Sequence, residues 1–317
     1  MPEGLPPVAR FAAPAGAGPQ EVCLRYFDHL RALTAPLDRP ETARQYKSLI
    51  KIFGGDFAGP AYQYRRHLLA NRLEPAAAMV LARPRGTRVL DCGCGTGYQS
   101  LLLGLLGAEV QGVDVTERSV AIAQELAQAH AASGAELALR FYYQDLFSFL
   151  AAQQDQPRFD LIWVAEAVSH IHPLEEFWPL ARAALAPGGW LGVGESNVRN
   201  PLVRRQVDVE RQDHFRRRGR APEEYRQGDY WLFPARFKDP ATGRELMMTN
   251  ERMFSTASLR AMLRGYGFRR FRVLYRTFAP RPVYRWPGPA AARALERLGA
   301  ATPLIRQLGA HYVLLAQ

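Results

Sequence analysis

The chain has 317 residues, of which 48% are hydrophobic, and it carries a formal net charge of +11. This composition is typical of a globular protein with one large core and an accessory region, and it argues against a fibrous or disordered chain. No apolar run approaches the roughly 18 residues that a membrane-spanning helix needs, and the first residues lack the pattern of a secretion signal. We therefore expect a cytoplasmic protein, in agreement with its three cysteines, Cys23, Cys92 and Cys94.

The charge is unevenly distributed along the chain. Residues 1–85 carry +5, residues 86–196 carry −8, residues 197–254 carry +4 and residues 255–317 carry +10. Basic flanks of this kind attract phosphates, carboxylates or anionic membranes, so contact with a membrane surface stays open. We do not expect nucleic acid as a partner, because no nucleic-acid-reading motif accompanies the charge.

The N-terminal part divides into two segments. Residues 1–20 are rich in proline, alanine and glycine, which predicts a disordered tail. Residues 21–85 have a helical pattern interrupted by prolines and glycines, which predicts a helical cap or lid. Three of its tyrosines either cover a ligand or pack the helices onto the core; they are Tyr46, Tyr62 and Tyr64.

Residues 86–197 alternate between short apolar strands and helices. The predicted strands are 88–91, 109–115, 137–143, 159–165 and 190–194, and the predicted helices between them are 98–106, 117–132 and 174–185. Strand and helix alternating in this way indicate a parallel sheet that is covered on both faces. This segment is therefore the core domain.

Two further segments complete the chain. Residues 198–255 are charged, aromatic and irregular, and we expect them to form an insertion that covers the substrate. Four aromatic residues that lie close together in it suit the wall of an acceptor pocket; they are Tyr230, Trp231, Phe233 and Phe237. Residues 256–317 complete the sheet, with a helix at 257–264, a strand at 269–276, a helical insertion at 278–309 and a last strand at 311–316. Because that strand ends the chain, nothing forces it to be parallel.

The stretch "VLDCGCGTGYQ", residues 89–99, is a glycine loop between the first strand and its helix. Gly93, Gly95 and Gly97 allow a sharp turn and the close approach of a ligand. A dinucleotide loop has the spacing G-x-G-x-x-G, whereas this one has G-x-G-x-G, and it places Asp91 where a pyrophosphate would be repelled. Two cysteines spaced C-x-C supply too few ligands for zinc, so we expect no metal.

These residues resemble the class I S-adenosylmethionine-dependent methyltransferases. "VLDCGCGTG" is similar to the first motif of that family, and "VQGVDVT", "FYYQDLF", "FDLIWVAEAVSHI" and "LAPGGWLGVGE" are similar to the segments that follow it. The resemblance implies a Rossmann-like, doubly wound α/β fold. Its seven-stranded sheet would be mostly parallel with an antiparallel last strand. It also implies S-adenosylmethionine as the methyl donor and S-adenosylhomocysteine as the product.

The resemblance further implies a set of cofactor-binding residues. Asp114 would accept hydrogen bonds from the ribose hydroxyls, and Asp145 would accept one from the adenine amino group. The full set is Asp91, Gly93, Cys94, Gly95, Gly97, Asp114, Val115, Asp145, Leu146 and Glu166. The alternative for each acid is a helix cap or a turn residue.

The reaction implied is in-line transfer of a methyl group to an oxygen, or a nitrogen, of a small amphipathic or anionic acceptor. His170 and Glu166 follow the fourth strand and are the catalytic candidates, because an imidazole can accept a proton near neutral pH. The alternative for His170 is to hold its loop by hydrogen bonds. Two other functions stay open: an RNA methyltransferase that uses the basic flanks, and a cofactor-binding module without turnover. The acceptor, the pathway and the oligomeric state do not follow from the sequence.

Overall fold

The computed structural model describes residues 5–55, 57–83, 85–153, 158–218, 226–227, 230–239, 242–243, 245–249, 252–303 and 305–317. The chain divides into two compact units. The first contains residues 1–143 and 279–298, and the second contains residues 144–278 and 299–317.

The first unit begins with three helices, α1 (Pro19–Thr34), α2 (Lys47–Ile50) and α3 (Gly59–Leu81). Pro60 lies in the first turn of α3, where a missing N–H group costs no helical hydrogen bond. The buried aromatic side chains of α1 anchor these helices to the rest of the unit. The Tyr26 hydroxyl, for example, donates to the carbonyl of Tyr98 at 2.5 Å.

The sheet of the first unit is entirely parallel. It contains β1 (Arg88–Cys92), β2 (Glu109–Asp114) and β3 (Ala138–Tyr143), with helices α4 (Tyr98–Leu105) and α5 (Glu117–Ala132) between them. β2 pairs with β1 on one side and with β3 on the other. Short apolar strands such as β1 suit this position because both of their faces are covered.

The second unit begins with alternating helices and strands and continues with a different order of elements. Its first elements are α6 (Leu146–Ala152), β4 (Phe159–Ala165), α7 (Leu174–Ala184) and β5 (Leu185–Ser196). Then follow α8 (Pro201–Arg218), β6 (Arg226–Gln227), β7 (Tyr230–Lys238), β8 (Glu245–Thr249), α9 (Thr256–Gly265) and β9 (Phe271–Arg276). The helices α10 (Arg281–Arg285) and α11 (Pro289–Ala301) precede the last strand, β10 (His311–Ala316).

The last strand is inserted between two earlier ones. β10 pairs antiparallel with β5 on one side and with β9 on the other, so all six of its residues are buried although the chain ends there. The strand order is β3-β2-β1-β4-β5-β10-β9. The predicted seven-stranded sheet with an antiparallel last strand is therefore confirmed. Within the described ranges, no helix is long and apolar enough to cross a membrane.

The sequence-based expectation was wrong in the insertion. Residues 198–255, expected to be irregular, contain α8 and a small antiparallel sheet of β6, β7 and β8. The pairing of β7 with β8 is irregular between Pro234 and Lys238, because proline has no N–H group to donate to a strand ladder. Among its described side chains, α8 exposes Leu202 and Val209 and buries Val207, whereas a helix is usually predicted from apolar residues that share one buried face.

Candidate functional site

The glycine loop after β1 is shaped by its backbone. Gly93, Gly95 and Gly97 all have left-handed backbones, with φ of 71°, 54° and 71°. Residues with a Cβ atom adopt this region only at a cost, so glycine is favoured at all three positions. The amides of Gly93 and Cys94 both donate to the carbonyl of Val113, at 2.8 and 3.1 Å, which fixes the loop against β2.

Gly95 and Gly97 differ in what surrounds them. A Cβ atom on Gly97 would lie 2.6 Å from the Cβ of Ala123 and 2.8 Å from the ring of Phe141. A Cβ atom on Gly95 would meet nothing within 4 Å. Gly97 is therefore needed for packing, whereas Gly95 faces open space.

Asp114, the last residue of β2, forms a hydrogen bond with the glycine loop. Its Oδ2 accepts a hydrogen bond from the amide of Gly95 at 2.9 Å, and its Oδ1 accepts one from the amide of Thr116 at 2.8 Å. Each carboxylate oxygen can accept two hydrogen bonds. The Asp114 carboxylate can thus accept two more, one on each oxygen, next to the open face of Gly95. Val115 lies in the chain between Asp114 and Thr116, whose amide binds the Asp114 carboxylate.

Asp91 is the next-to-last residue of β1 and is almost fully buried. Its carboxylate accepts a hydrogen bond from the hydroxyl of Ser100 at 2.6 Å. Burial raises the pKa of Asp91 to about 6, and the nearby Asp114 carboxylate adds to this, while the bond from Ser100 opposes it. A cationic ligand would lower this pKa and an anionic ligand would raise it further.

The cysteines of the loop are inert. Cys92 and Cys94 are buried, and burial raises the pKa of both thiols well above the ordinary value. Protonated thiols neither attack nor coordinate metals. Cys94 instead fits the crowded turn, its Sγ atom lying 3.0 Å from where a Cβ on Gly112 would be.

Asp145 and Leu146 begin α6 in the second unit. Asp145 is the N-cap of this helix, and its Oδ2 accepts hydrogen bonds from the amide and the hydroxyl of Ser148, at 3.0 and 3.2 Å. The Ser148 hydroxyl also lies 3.0 Å from Oδ2 of Asp239 in the insertion. Among the described residues none donates to Oδ1 of Asp145, so capping leaves this oxygen able to accept a ligand donor.

Glu166 follows β4 with a left-handed backbone, at φ 55°. Its amide donates to the carbonyl of Gly194 at 2.8 Å, which holds it in this conformation, while its side chain is exposed. The conformation costs a residue with a Cβ atom about 1–2 kcal/mol. Such strained residues occur most often at functional sites.

His170 is bonded to the insertion. Its Nδ1 lies 3.0 Å from the carbonyl oxygen of Thr249, the last residue of β8. A carbonyl can only accept, so Nδ1 must carry the proton, and the lone pair of the neutral imidazole is on Nε2. This bond is compatible with both interpretations of His170, as a base and as a residue that holds the loop.

The backbone of Ser169, the residue before His170, forms three hydrogen bonds. Its amide donates to Oε1 of Glu195 at 3.2 Å, and its carbonyl accepts from the hydroxyl of Thr249 and from the amide of Arg252. Neither Glu195 nor Thr249 was among the predicted site residues. Thr249 gave no signal, because it lies 80 residues further along the chain in a segment expected to be irregular.

The aromatic residues proposed to cover a ligand fall into two groups. In the first unit, the hydroxyl of Tyr46 donates to Glu125, that of Tyr62 donates to Asp28, and the ring of Tyr64 packs on Tyr284. These contacts agree with the packing alternative. The second group lies in the insertion, where the backbone of each residue belongs to β7. The structure does not describe the side chains of this group, which are Tyr230, Trp231, Phe233 and Phe237.

Comparisons with known proteins agree with the loop geometry. The family described as "Methyltransferase domain" matches residues 84–230. The match covers a little less than half of the chain. The resemblance to class I S-adenosylmethionine-dependent methyltransferases is thus confirmed for the core of the chain.

Curated relatives of this domain include two ubiquinone biosynthesis O-methyltransferases. The chain is 32% identical to the one from Leptothrix cholodnii over 116 residues, which cover 37% of this chain and 46% of the relative. It is 32% identical to the mitochondrial one from Mus musculus over 128 residues, which cover 40% of this chain and 34% of the relative. The chain thus matches less than half the length of these relatives.

A solved structure also aligns with much of the chain. A methyltransferase from Archaeoglobus fulgidus is 16% identical and aligns over 73% of this chain and 86% of its own, with a TM-score of 0.45.

Proposed function

We propose that this protein is an S-adenosylmethionine-dependent methyltransferase that acts on an oxygen, or a nitrogen, of a small amphipathic or anionic acceptor. The methyltransferase domain supports the reaction class. The names of the relatives favour oxygen over nitrogen. When bound, the cofactor supplies a methyl group that is already electrophilic because it is attached to a sulfonium ion.

The open face of Gly95 beside Asp114 carries the cofactor assignment. Here the backbone leaves space for a ligand, and the Asp114 carboxylate retains one acceptor position on each oxygen. Two neighbouring hydroxyls on one ribose ring match two neighbouring acceptors. Gly93, Cys94 and Gly97 act through the backbone and hold the loop in place for this contact.

Charge favours S-adenosylmethionine over a nicotinamide dinucleotide. The buried Asp91 carboxylate already has a pKa raised to about 6, so a pyrophosphate placed nearby would add a second unfavourable charge. The ammonium and sulfonium groups of S-adenosylmethionine are positive and would stabilise the ionised form. Asp91 therefore selects for a cationic ligand even though its side chain is buried.

The resemblance to the family also proposes cofactor contacts for residues of the second unit, considered by itself. Oδ1 of Asp145 is proposed to accept from the adenine amino group, with Leu146 beside the ring. Glu166 is proposed to contact the cofactor or orient the loop after β4, which gives a reason for its strained backbone.

His170 is proposed to be the general base. The bond from its Nδ1 to Thr249 keeps the lone pair on Nε2, where it can accept the proton of an acceptor hydroxyl as the oxygen attacks the methyl carbon. The protein otherwise contributes alignment and the exclusion of water. We propose that the reaction takes place in the cytoplasm, where the buried free cysteines stay reduced.

Calorimetric titration with S-adenosylhomocysteine tests the cofactor assignment, with NAD as the comparator. We expect micromolar binding of S-adenosylhomocysteine alone. Gly95→Val should abolish this binding by filling the open face. Asp114→Ala should weaken it by about 1–3 kcal/mol, the cost of losing hydrogen bonds to a partly buried carboxylate. Asp38→Ala, which removes an exposed acid of the same unit, is the matched control and should change nothing.

Transfer and binding assays with the same protein distinguish the proposed function from its alternatives. Methyl transfer to phenolic or quinol acceptors supports the proposal. Preferential binding of NAD would overturn the cofactor assignment. Cofactor binding without transfer to any acceptor would favour the non-catalytic module, and transfer to RNA with a steep dependence on salt would favour the RNA methyltransferase.

A further inference from the structure

β8 of the insertion is bonded to the loop after β4 at one point. The amide of Thr249 donates to the carbonyl of His170 at 3.3 Å, and Nδ1 of His170 lies 3.0 Å from the carbonyl of Thr249. The hydroxyl of Thr249 donates to the carbonyl of Ser169. Two adjacent residues of the loop are thus joined to a single residue of the insertion by three hydrogen bonds.

The Thr249 end of these bonds is protected from water, and His170 is half-buried. Thr249 is fully buried and Ser169 is 4% exposed. A buried hydrogen bond that is broken leaves a polar group unsatisfied, which costs more than the bond contributes when it is formed. The contact therefore holds β8 and the loop in one arrangement.

We propose that Thr249 is a positioning residue for methyl transfer: it holds His170 with the proton on Nδ1 and the lone pair on Nε2. This inference rests on the proposed function, in which His170 is the base. A free imidazole prefers the opposite tautomer, with its proton on Nε2, and in that form Nε2 cannot accept another. The carbonyl of Thr249 reverses this preference because it offers an acceptor to Nδ1 alone.

The hydroxyl of Thr249 is the part of this arrangement that mutation can remove. The two bonds to His170 are made by the backbone of Thr249, but the bond to Ser169 is made by its side chain. The hydroxyl keeps the Thr249 backbone in register with the loop. Valine has nearly the same shape as threonine and removes this bond alone, whereas serine keeps it.

The proposal gives the insertion a catalytic task in addition to covering the acceptor. The base is contributed by the core of the domain, but its active tautomer is imposed by a segment that lies outside the alternating strands and helices. An insertion of different sequence at this place would change the proton transfer as well as the acceptor pocket.

Nitrogen-15 NMR spectra of histidine-labelled protein test this inference without any acceptor, with Gln in place of His170 to assign its signals. We expect the Nδ1–H tautomer for His170 in the wild type and a shift towards the Nε2–H tautomer in Thr249→Val. With an acceptor, kcat of Thr249→Val should fall about 10-fold, a fraction of the 10²–10⁴ that a general base contributes. Binding of S-adenosylhomocysteine should not change.

Two further variants separate positioning from general damage. Thr249→Ser should restore both the tautomer and kcat. Thr256→Val removes another largely buried threonine hydroxyl of the same unit, one that contacts Tyr275 at 2.8 Å, and should leave both unchanged.

The failure of this inference can be told from failure of the proposed function. Turnover by a wild type in which His170 has its proton on Nε2 would overturn the inference alone, as would Thr249→Val with unchanged tautomer and kcat. A wild type with the expected tautomer but no transfer to any acceptor would overturn the proposed function. The wild-type spectrum gives this answer even where Thr249→Val does not fold.

Discussion

The loops after β1 and after β4 both present polar groups at the end of a strand, but they are held in different ways. The glycine loop is fixed by its own backbone and by contacts from nearby in the sequence, such as the bond from Gly95 to Asp114, 19 residues away. The loop after β4 is fixed by side chains from distant segments. Glu195 lies 26 residues from Ser169, and Thr249 lies 80 residues from it.

This difference predicts different responses to substitution. A loop held by its backbone depends on residues that have no side chain, so added atoms should damage it. A loop held by distant partners tolerates added atoms better but depends on hydrogen-bonding groups elsewhere in the chain. The first loop holds a ligand in this account, and the second performs proton transfer.

The largest effect is expected for His170→Gln, which tests whether the second loop takes part in the chemistry. Glutamine can donate its amide N–H to the carbonyl of Thr249 and so retains the loop contact, but it has no basic nitrogen. We expect kcat to fall about 10²–10⁴-fold, the contribution of a general base. The thermal midpoint and the affinity for S-adenosylhomocysteine should not change. Unaltered turnover would assign His170 to holding the loop.

A smaller effect is expected for Gly97→Ala, measured as the free energy of unfolding in urea. The new Cβ atom would overlap Ala123 and Phe141, and the left-handed backbone adds strain. Together these should cost roughly 2–5 kcal/mol.

Gly95→Ala is the matched control for Gly97→Ala. Its backbone is also left-handed, but its Cβ atom meets nothing within 4 Å, so it should cost only the strain, about 1–2 kcal/mol. Equal costs for the two variants would show that packing around Gly97 is looser than the distances indicate.

The same difference explains what could be predicted from the sequence. The glycine loop was predictable because each of its requirements is local: an apolar strand, glycines at fixed spacing and an acid at the end of the next strand. Four of the five core strands were also predicted closely, whereas β5 was predicted at 190–194 and spans Leu185–Ser196. β4, for example, has the predicted bounds, because its short apolar run is set by burial on both faces.

The loop after β4 could be predicted only in part. His170 and Glu166 were recognised as candidates, but the residues that hold this loop were not. Nothing local to Thr249 indicates that its carbonyl meets an imidazole, since the contact exists only once β8 has formed. β8 in turn was missed because the short strands of the insertion carry charged residues and a proline. Long-range pairing of this kind leaves no periodic signal.

The buried Asp91 carboxylate should make the free energy of unfolding depend on pH. The pKa of Asp91 in the folded protein, about 6, lies above its ordinary value of 3.8, so the folded state binds the proton more tightly than the unfolded state. The stabilisation from this group is complete below pH 3.8 and is lost as the pH rises to about 6. The loss should be of the order of 1–3 kcal/mol.

Asp91→Asn should abolish this part of the pH dependence, because asparagine does not ionise. The measurement is the difference in unfolding free energy between wild type and variant from pH 4 to pH 7, since a constant cost of the new amide cancels from its slope. We expect the unfolding free energy of the variant to increase relative to that of the wild type as the pH rises. The variant should also bind S-adenosylhomocysteine more weakly. A difference that does not vary with pH would show that Asp91 is not destabilised by burial.

The smallest effect is expected for Glu195→Gln, and it tests which property of the distant partner holds the second loop. Glutamine retains a carbonyl oxygen that can accept the hydrogen bond from the amide of Ser169, so this variant should lose less than about 1 kcal/mol. Glu195→Ala should lose about 1–3 kcal/mol, because it leaves a buried N–H group unsatisfied. If glutamine costs as much as alanine, then the loop depends on the negative charge of Glu195. It would then resemble the glycine loop, where the Asp114 carboxylate accepts a hydrogen bond from the amide of Gly95, and the two loops would differ mainly in how far along the chain their carboxylate partners lie.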